Sequence, residues 1–431
     1  MKKFNVLWAV LASLSPLFGS AMAAEPVADR GEYVARLGNC VACHSIPDAP
    51  PFSGGLKMAT PLGAIYVTNI TPDKETGIGN YTYEDFDRAM RLGIAKDGHN
   101  LYPAMPYPSY AKMNEEDMKA LFDFFMKSVP AAKVVNKPSE IPSPLNIRWP
   151  LKIWNFVFAD DDRYEAVAGK DMAWNRGAYL TQGLGHCGAC HTPRGIAWNE
   201  KGQNENDSKF LIGAPLDNWS ASNLRQDVNT GLGRWKKEDL TSFLKNGHNK
   251  FGSSFGSMTE VINNSTQYMT NEDINAMSTY LLSLEGSREK DANPYTYVPA
   301  TAEALKERKY DAPGSLTYMQ QCVTCHLMDG AGFAPYLAPI AGNPITVDPS
   351  PDSLINIVLN GTQPIVVDGM PDAYRMPVYR ILLSDKEIAD VVTFIRNGWG
   401  NKASPVTAEK VAEIRKLTDP ASDQVHILRM K

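Results

Sequence analysis

Three stretches of the chain repeat one pattern of apolar and polar positions. NEEDMKALFDFFMKSV (114–129), TNEDINAMSTYLLSL (270–284) and LSDKEIADVVTFIRNG (383–398) each read as an amphipathic helix. Asn114, Thr270 and Ser384 stand where N-caps belong, and acids fill each first turn, where the helix dipole favours them. Aligned on those starts, Phe124, Tyr280 and Phe394 share one position. Each is expected to pack on the first helix of its own unit.

Those first helices are short and amphipathic. GEYVARLGNCVACHS (31–45) matches GAYLTQGLGHCGACHT (177–192), and PGSLTYMQQCVTCHL (313–327) is a looser third copy. Downstream, TNITPDKETGIGNYTYEDFDRAMRLG (68–93) pairs with SNLRQDVNTGLGRWKKEDLTSFLKNG (222–247): glycine-rich turns, then a helix starting near Glu84 or Glu238. Proline-punctuated or charged stretches separate the copies. The pattern predicts an all-α chain of three tandem helical units with long loops, at 24–137, 171–286 and 309–400. Linkers are expected at 138–170 and 287–308, and a polar tail at 401–431.

The first 23 residues read as a Sec signal peptide: Met-Lys-Lys, an apolar run, and Ala21-Met22-Ala23 at the cleavage point. No later segment approaches the roughly 20 apolar residues of a membrane span. The mature chain is therefore expected to be exported, with any membrane attachment peripheral. LKIWNFVF (151–158) and the tail from Val406 are read first as ordinary packing, with contact to lipid or a partner as the alternative. A net charge of −5, with both signs mixed along the chain, argues against nucleic-acid binding.

Cysteine use narrows the chemistry. All six cysteines stand in pairs, Cys40/Cys43, Cys187/Cys190 and Cys322/Cys325, each followed at once by a histidine, His44, His191 or His326. C-x-x-C-H is the pattern of covalent haem attachment: two thiols bond the porphyrin's vinyl groups, and the adjacent histidine reaches the iron. Zinc would need four ligands, usually from two such half-sites. A disulfide framework explains no histidine. The middle box sits in GLGHCGACHTPRG (183–195), which also spells G-x-G-x-x-G. A helix rather than a strand precedes those glycines, and they vanish in the other copies, so the dinucleotide reading fails.

A methionine opposite the histidine raises the reduction potential and closes the iron to small ligands. Met105 in GHNLYPAMPYPSY and Met258 in GHNKFGSSFGSMTEV occupy corresponding loops. The third unit offers Met370 and Met376, both followed by proline; Met376 stands about as far ahead of its terminal helix as Met105 does, which makes it the nearer match. His99 and His248, each in Gly-His-Asn, are rival sixth ligands. His186 reads as a mere neighbour of Cys187, and His426 has no argued role. Asn69, Thr71, Tyr81 and Trp235 sit where a loop folds over a haem edge to reach propionates, or serve only the loop itself.

No residues stand out for acid–base chemistry on a substrate, so no catalytic residue is assigned and electron transfer is the leading role. A self-contained peroxidase- or reductase-like haem enzyme would need an open iron position. A free periplasmic shuttle cytochrome is the third reading.

TNITPD with TGIG, LYPAMPYPSY, WNRGAYL with GHCGACHTPR, and MPVYRILLSDKEIADVVTFIRNGWGN carry a narrower likeness. The chain resembles the three-haem cytochrome c subunits of bacterial membrane-bound dehydrogenases that oxidise alcohols, gluconate, sorbitol or fructose. The resemblance implies three class I cytochrome c-like domains and three covalently bound haems c. It implies thioether bonds at Cys40, Cys43, Cys187, Cys190, Cys322 and Cys325. Proximal ligands would be His44, His191 and His326, and distal ligands Met105, Met258 and Met376. It further implies a large flavin- or pyrroloquinoline-quinone-containing partner that oxidises the substrate. Electrons would go to ubiquinone at the periplasmic side of the cytoplasmic membrane of a Gram-negative bacterium. The third unit departs from the pattern, with AGNPITVDPSPDSL in place of TNITPD.

Overall fold

The computed structural model describes residues 29–60, 62–288, 291 and 293–421. The expected signal peptide and His426 lie outside them. The three terminal helices form where the capping chemistry puts them, at Glu115–Lys127, Asn271–Leu281 and Asp385–Asn397. The Asn114 side chain accepts from Asp117 N at 2.7 Å and Thr270 Oγ1 from Asp273 N at 3.2 Å, while Ser384 and Glu387 close a capping box. The intervening helices, Tyr83–Leu92 and Lys237–Asn246, each end on a left-handed glycine, Gly93 or Gly247.

In each unit the first and terminal helices meet at a glycine. Arg30–Leu37 lies against Glu115–Lys127, Met172–Tyr179 against Asn271–Leu281, and Ser315–Gln321 against Asp385–Asn397. A methyl on Gly31 would lie 2.2 Å from Ala120 O, on Gly177 2.1 Å from Ala276 O, and on Gly314 2.3 Å from Asp390 O. Only bare backbone permits that approach. The shared aromatic packs as expected: Tyr280 meets Trp174 edge-on with ring centres 5.0 Å apart, and Phe394 lies 5.5 Å from Tyr318. The second copy has one more residue than the first between its glycine and its first cysteine. A π-helical turn, Leu180–Leu184, absorbs it.

The chain is helix-rich but not purely α. Among the described residues four small antiparallel hairpins occur: Lys57–Thr60 with Gly63–Tyr66, Ala214–Leu216 with Trp219–Ala221, His248–Asn249 with Gly252–Ser253, and Val366–Val367 with Met370–Pro371. They pair backbone groups of the long loops that would otherwise lack partners.

The packing also departs from three self-contained units. One continuous core joins the first two, with Val34, Met118 and Phe125 of the first beside Trp174, Met277 and Tyr280 of the second. A second core, around Tyr318, Leu359, Val392 and Trp399, belongs to the third. Two segments expected to lie outside it are inside. Ala302 and Leu305 enter from the 287–308 stretch, and Val411 and Ile414 enter from a helix at Ala408–Leu417 in the tail. Fully burying an aliphatic side chain of this size stabilises by about 1.5–3 kcal/mol, which holds that tail helix down. The 138–170 stretch is likewise not plain linker, because Leu151–Phe158 is helical.

Candidate haem-attachment sites

Each box takes up about one helical turn. Cys40–His44 is helical throughout, while Gly188–His191 and Val323–His326 follow directly on Cys187 and Cys322. At 3.6 residues per turn, cysteines three apart share a side, with the histidine beside the second. In all three boxes the imidazole Nδ1 meets a backbone carbonyl: His44 with Thr68 O at 2.8 Å, His191 with Ser222 O at 2.6 Å, and His326 with Ala338 O at 2.9 Å. A proton on Nδ1 serves that carbonyl and leaves the Nε2 lone pair for a metal. Burial holds all three imidazoles below the usual histidine range, and the carbonyl contacts only partly offset it.

The six thiols are not bonded to one another. Burial pushes Cys40, Cys187 and Cys322 up to about 12, and Cys43 and Cys190 up to about 11.

A largely apolar cavity of about 540 Å³ lies between the second and third boxes. Cys187, Cys190, His191 and Met258 line it together with Cys322, Cys325, His326 and Met376. The cysteines border this space, which is why residues surrounded by protein keep some accessible surface. Protein interiors pack with few voids larger than a water molecule, so a space of this size is shaped for a bound group. A donor without a partner stands at its edge: Trp235 Nε1 is buried and unpaired, and its ring stacks 5.3 Å from Phe251. An anionic oxygen such as a haem propionate would satisfy it. These residues fit covalently held haem. Among the described residues no three His, Cys, Asp or Glu gather to hold a bare metal ion, so a four-ligand zinc site is not assembled.

Tyrosines fasten two of the methionine loops to their boxes. Tyr110, beyond Met105, donates to Gly38 O at 2.9 Å, and Tyr379, beyond Met376, donates to Gln321 O at 2.7 Å. Met105 packs against the first core, and Met258 lies in the first turn of the Ser257–Asn264 helix. Met370 instead sits on a hairpin, 74 % exposed, and does not line the cavity. Neither rival histidine lines it. His99 is exposed and contacts Asp97 at 2.5 Å, and the His248 ring faces Tyr336 of the third unit.

Asn69 and Thr71 are occupied with each other and with Ala132 O, which makes them part of the loop's own framework. Tyr81 accepts from Lys96 N. Glu200 has no signal of its own in the sequence. Its Oε2 lies 2.3 Å from where a methyl on Gly188 would sit. Burial raises this carboxyl above its usual range, partly countered by Arg194, 3.8 Å away, and by Lys112. The one trace of it is a glycine between the cysteines of the middle box, where the other two have valine.

Helix-borne C-x-x-C-H boxes with carbonyl-held histidines, two of them facing one apolar cavity, define a c-type cytochrome. The cytochrome c family model matches residues 312–399. Over 419 residues the chain is 47 % identical to the gluconate 2-dehydrogenase cytochrome c subunit of Pantoea cypripedii, covering 96 % of this chain and 95 % of that one. It is 45 % identical to the cytochrome c subunit of the quinone alcohol dehydrogenase of Gluconacetobacter polyoxogenes, covering 95 % and 90 %. The fructose dehydrogenase cytochrome subunit of Gluconobacter japonicus is 34 % identical, over 92 % and 84 %. The chain belongs to the family of cytochrome c subunits of gluconate, alcohol and fructose dehydrogenases, with covalently bound haem c as its cofactor and electron transfer as its role.

Proposed function

We propose that the chain is the three-haem electron-transfer subunit of a periplasmic dehydrogenase, built as three tandem cytochrome c domains. It takes electrons from a large flavin- or pyrroloquinoline-quinone-containing subunit and delivers them to ubiquinone in the cytoplasmic membrane. The observation that carries this reading is the cavity onto which the second and third boxes both open, each with its own methionine. Cys40, Cys43, Cys187, Cys190, Cys322 and Cys325 would bind the haems; His44, His191 and His326 would hold each iron on one side. Met105, Met258 and Met376 would close the other side and exclude water. Haem iron, once bound, supplies reversible one-electron oxidation and reduction at a potential set by its axial ligands. The apolar lining disfavours charge at the site, and Trp235 stands ready for a propionate.

Membrane contact would be peripheral. Among the described residues no helix is long and apolar enough to cross a membrane. The Leu151–Phe158 helix has no buried residue and turns apolar side chains to solvent, the pattern of an interfacial helix. Haem quantified per chain as its alkaline pyridine adduct tests the count. Three equivalents are expected, each Cys-pair-to-Ala variant losing one; two or fewer would overturn the three-site reading. A copurifying large subunit carrying flavin or pyrroloquinoline quinone is expected, with reduction of a ubiquinone analogue by the complex.

A further inference from the structure

The end of the Arg30–Leu37 helix is held by the second repeat. A helix leaves its last carbonyls without internal partners, and they need donors from elsewhere. Here Leu37 O accepts from Ser265 Oγ at 3.3 Å, and Gly38 O is met by His186 Nε2 at 3.3 Å as well as by the Tyr110 hydroxyl. The His186 and Tyr110 rings meet edge-on at 5.6 Å. Cys40 follows Gly38 by two positions and Cys187 follows His186 directly, so these contacts join one attachment box to the next. Leu37 and Asn39 also line the cavity of the second box.

The backbone supports a dedicated role. His186 adopts φ +36°, and Asn39, its counterpart in the first repeat, adopts φ +49°. Asparagine tolerates that left-handed region comparatively well, whereas a histidine there is uncommon. Outliers of this kind persist where the surrounding structure holds them and where their side chain has work to do. The imidazole spans the gap to Gly38 O, a reach that an asparagine side chain is too short to match.

We propose that His186, supported by Ser265, is a positioning residue that fixes the separation of the first and second boxes and so sets the rate of electron exchange between them. This rests on both boxes carrying haem. Tunnelling rates fall steeply with distance, so a small slackening at this junction is readable as a rate.

The test uses the full-length holoprotein. His186→Asn keeps the left-handed backbone and removes the reach; His186→Gln restores length and a donor; Ser265→Ala weakens the neighbouring tie. Electron redistribution among the haems is followed after photoreduction, alongside the magnetic interaction between ferric centres in the oxidised spectrum. Expected is a several-fold slower exchange between the first two sites and a weaker magnetic interaction in His186→Asn. Haem content, potentials and exchange with the third site should be unchanged, His186→Gln should recover most of the loss, and Ser265→Ala should show a smaller loss. Wild-type exchange in His186→Asn overturns the proposal, and so does equal slowing at all sites, which would mark a general loosening. If His186→Asn does not fold, Ser265→Ala decides, and unaltered exchange there is the contrary result. Lack of haem at either box in the wild type would instead refute the three-haem reading.

Discussion

Tyr33 in the first repeat donates its hydroxyl to Asp273 in the second at 2.8 Å, and Tyr179 in the second returns the bond to Asp117 in the first at 2.6 Å. Both aspartates also hold an arginine of their own repeat, Arg176 on Asp273 and Arg30 on Asp117. Each tyrosine in turn accepts the backbone N–H of the partner's cap residue, Thr270 N at 3.1 Å or Asn114 N at 3.3 Å. The two repeats are thus locked by one contact used twice, as an approximate two-fold would require. Burial pushes the Tyr33 hydroxyl up to about 12, so it stays a donor at any ordinary pH. Tyr33→Phe removes both of its bonds and should cost about 2 kcal/mol, since a hydrogen bond to a charged group alone is worth about 1.5–3 kcal/mol. Asp273→Ala should cost about 3 kcal/mol, because it strips the carboxylate from Arg176 as well. Urea unfolding should show both losses in the transition of the shared core and spare that of the third.

The helix contacts make a second prediction. Gly31→Ala and Gly177→Ala each force a methyl to within 2.2 or 2.1 Å of a carbonyl oxygen on the facing helix. Overpacking of this kind costs about 1–3 kcal/mol. Gly98, which has φ +88° and nothing within 4 Å of an added methyl, is the control. Gly98→Ala should cost only the backbone term, about 1–2 kcal/mol. Differential scanning calorimetry of the three variants checks the order; a larger loss at Gly98 would contradict it.

The two methionines of the third unit separate cleanly. Met376 lines the cavity with His326, whereas Met370 is exposed on its hairpin. Met376→Leu should lower the potential of one haem and open that iron to carbon monoxide. Met370→Leu should leave both unchanged. Redox titration with carbon monoxide difference spectra reads the pair, and the reverse result would move the ligand to Met370.

The features legible in the amino-acid sequence are those set by short-range rules. The caps at Asn114, Thr270 and Ser384 and the boxes themselves depend on residues three or four apart, and spacing reports those directly. The join between the first two repeats depends on Tyr33 and Asp273, 240 positions apart, and a tyrosine on a helix does not announce its partner. The π-turn at Leu180–Leu184 is visible only as one surplus residue between aligned copies. Two apolar segments look alike in sequence and differ in the fold. Val411 and Ile414 of the tail are buried in the third core, while the Leu151–Phe158 helix has no buried residue. Composition does not distinguish them, because both carry enough apolar side chains for either fate.

That helix gives the last prediction. It is pinned by one side: Trp154 Nε1 donates to Ala197 O at 2.7 Å, Tyr107 donates to Asn155 Oδ1 at 2.6 Å, and Asn155 donates to Leu92 O at 2.9 Å. Trp149, Ile153, Phe156 and Val157 are left facing outward, Phe156 at 90 % exposure, with Ile196 and Trp198 exposed on either side of Ala197. Asp160, Asp161 and Asp162 follow closely, so on the proposed membrane contact attraction to anionic lipid would be weak and apolar insertion would supply the binding. Each large apolar side chain moved from water into lipid gains about 1.5–3 kcal/mol. Phe156→Ser should therefore weaken partition into phosphatidylcholine vesicles by about 2 kcal/mol, roughly 30-fold. Adding Trp149→Ser should all but abolish it, and raised salt should change neither result. The pinning side is untouched, so haem content and thermal unfolding should match wild type. Vesicle flotation of the holoprotein measures the partition, and a double variant that still floats as wild type would rule this face out as the proposed membrane contact.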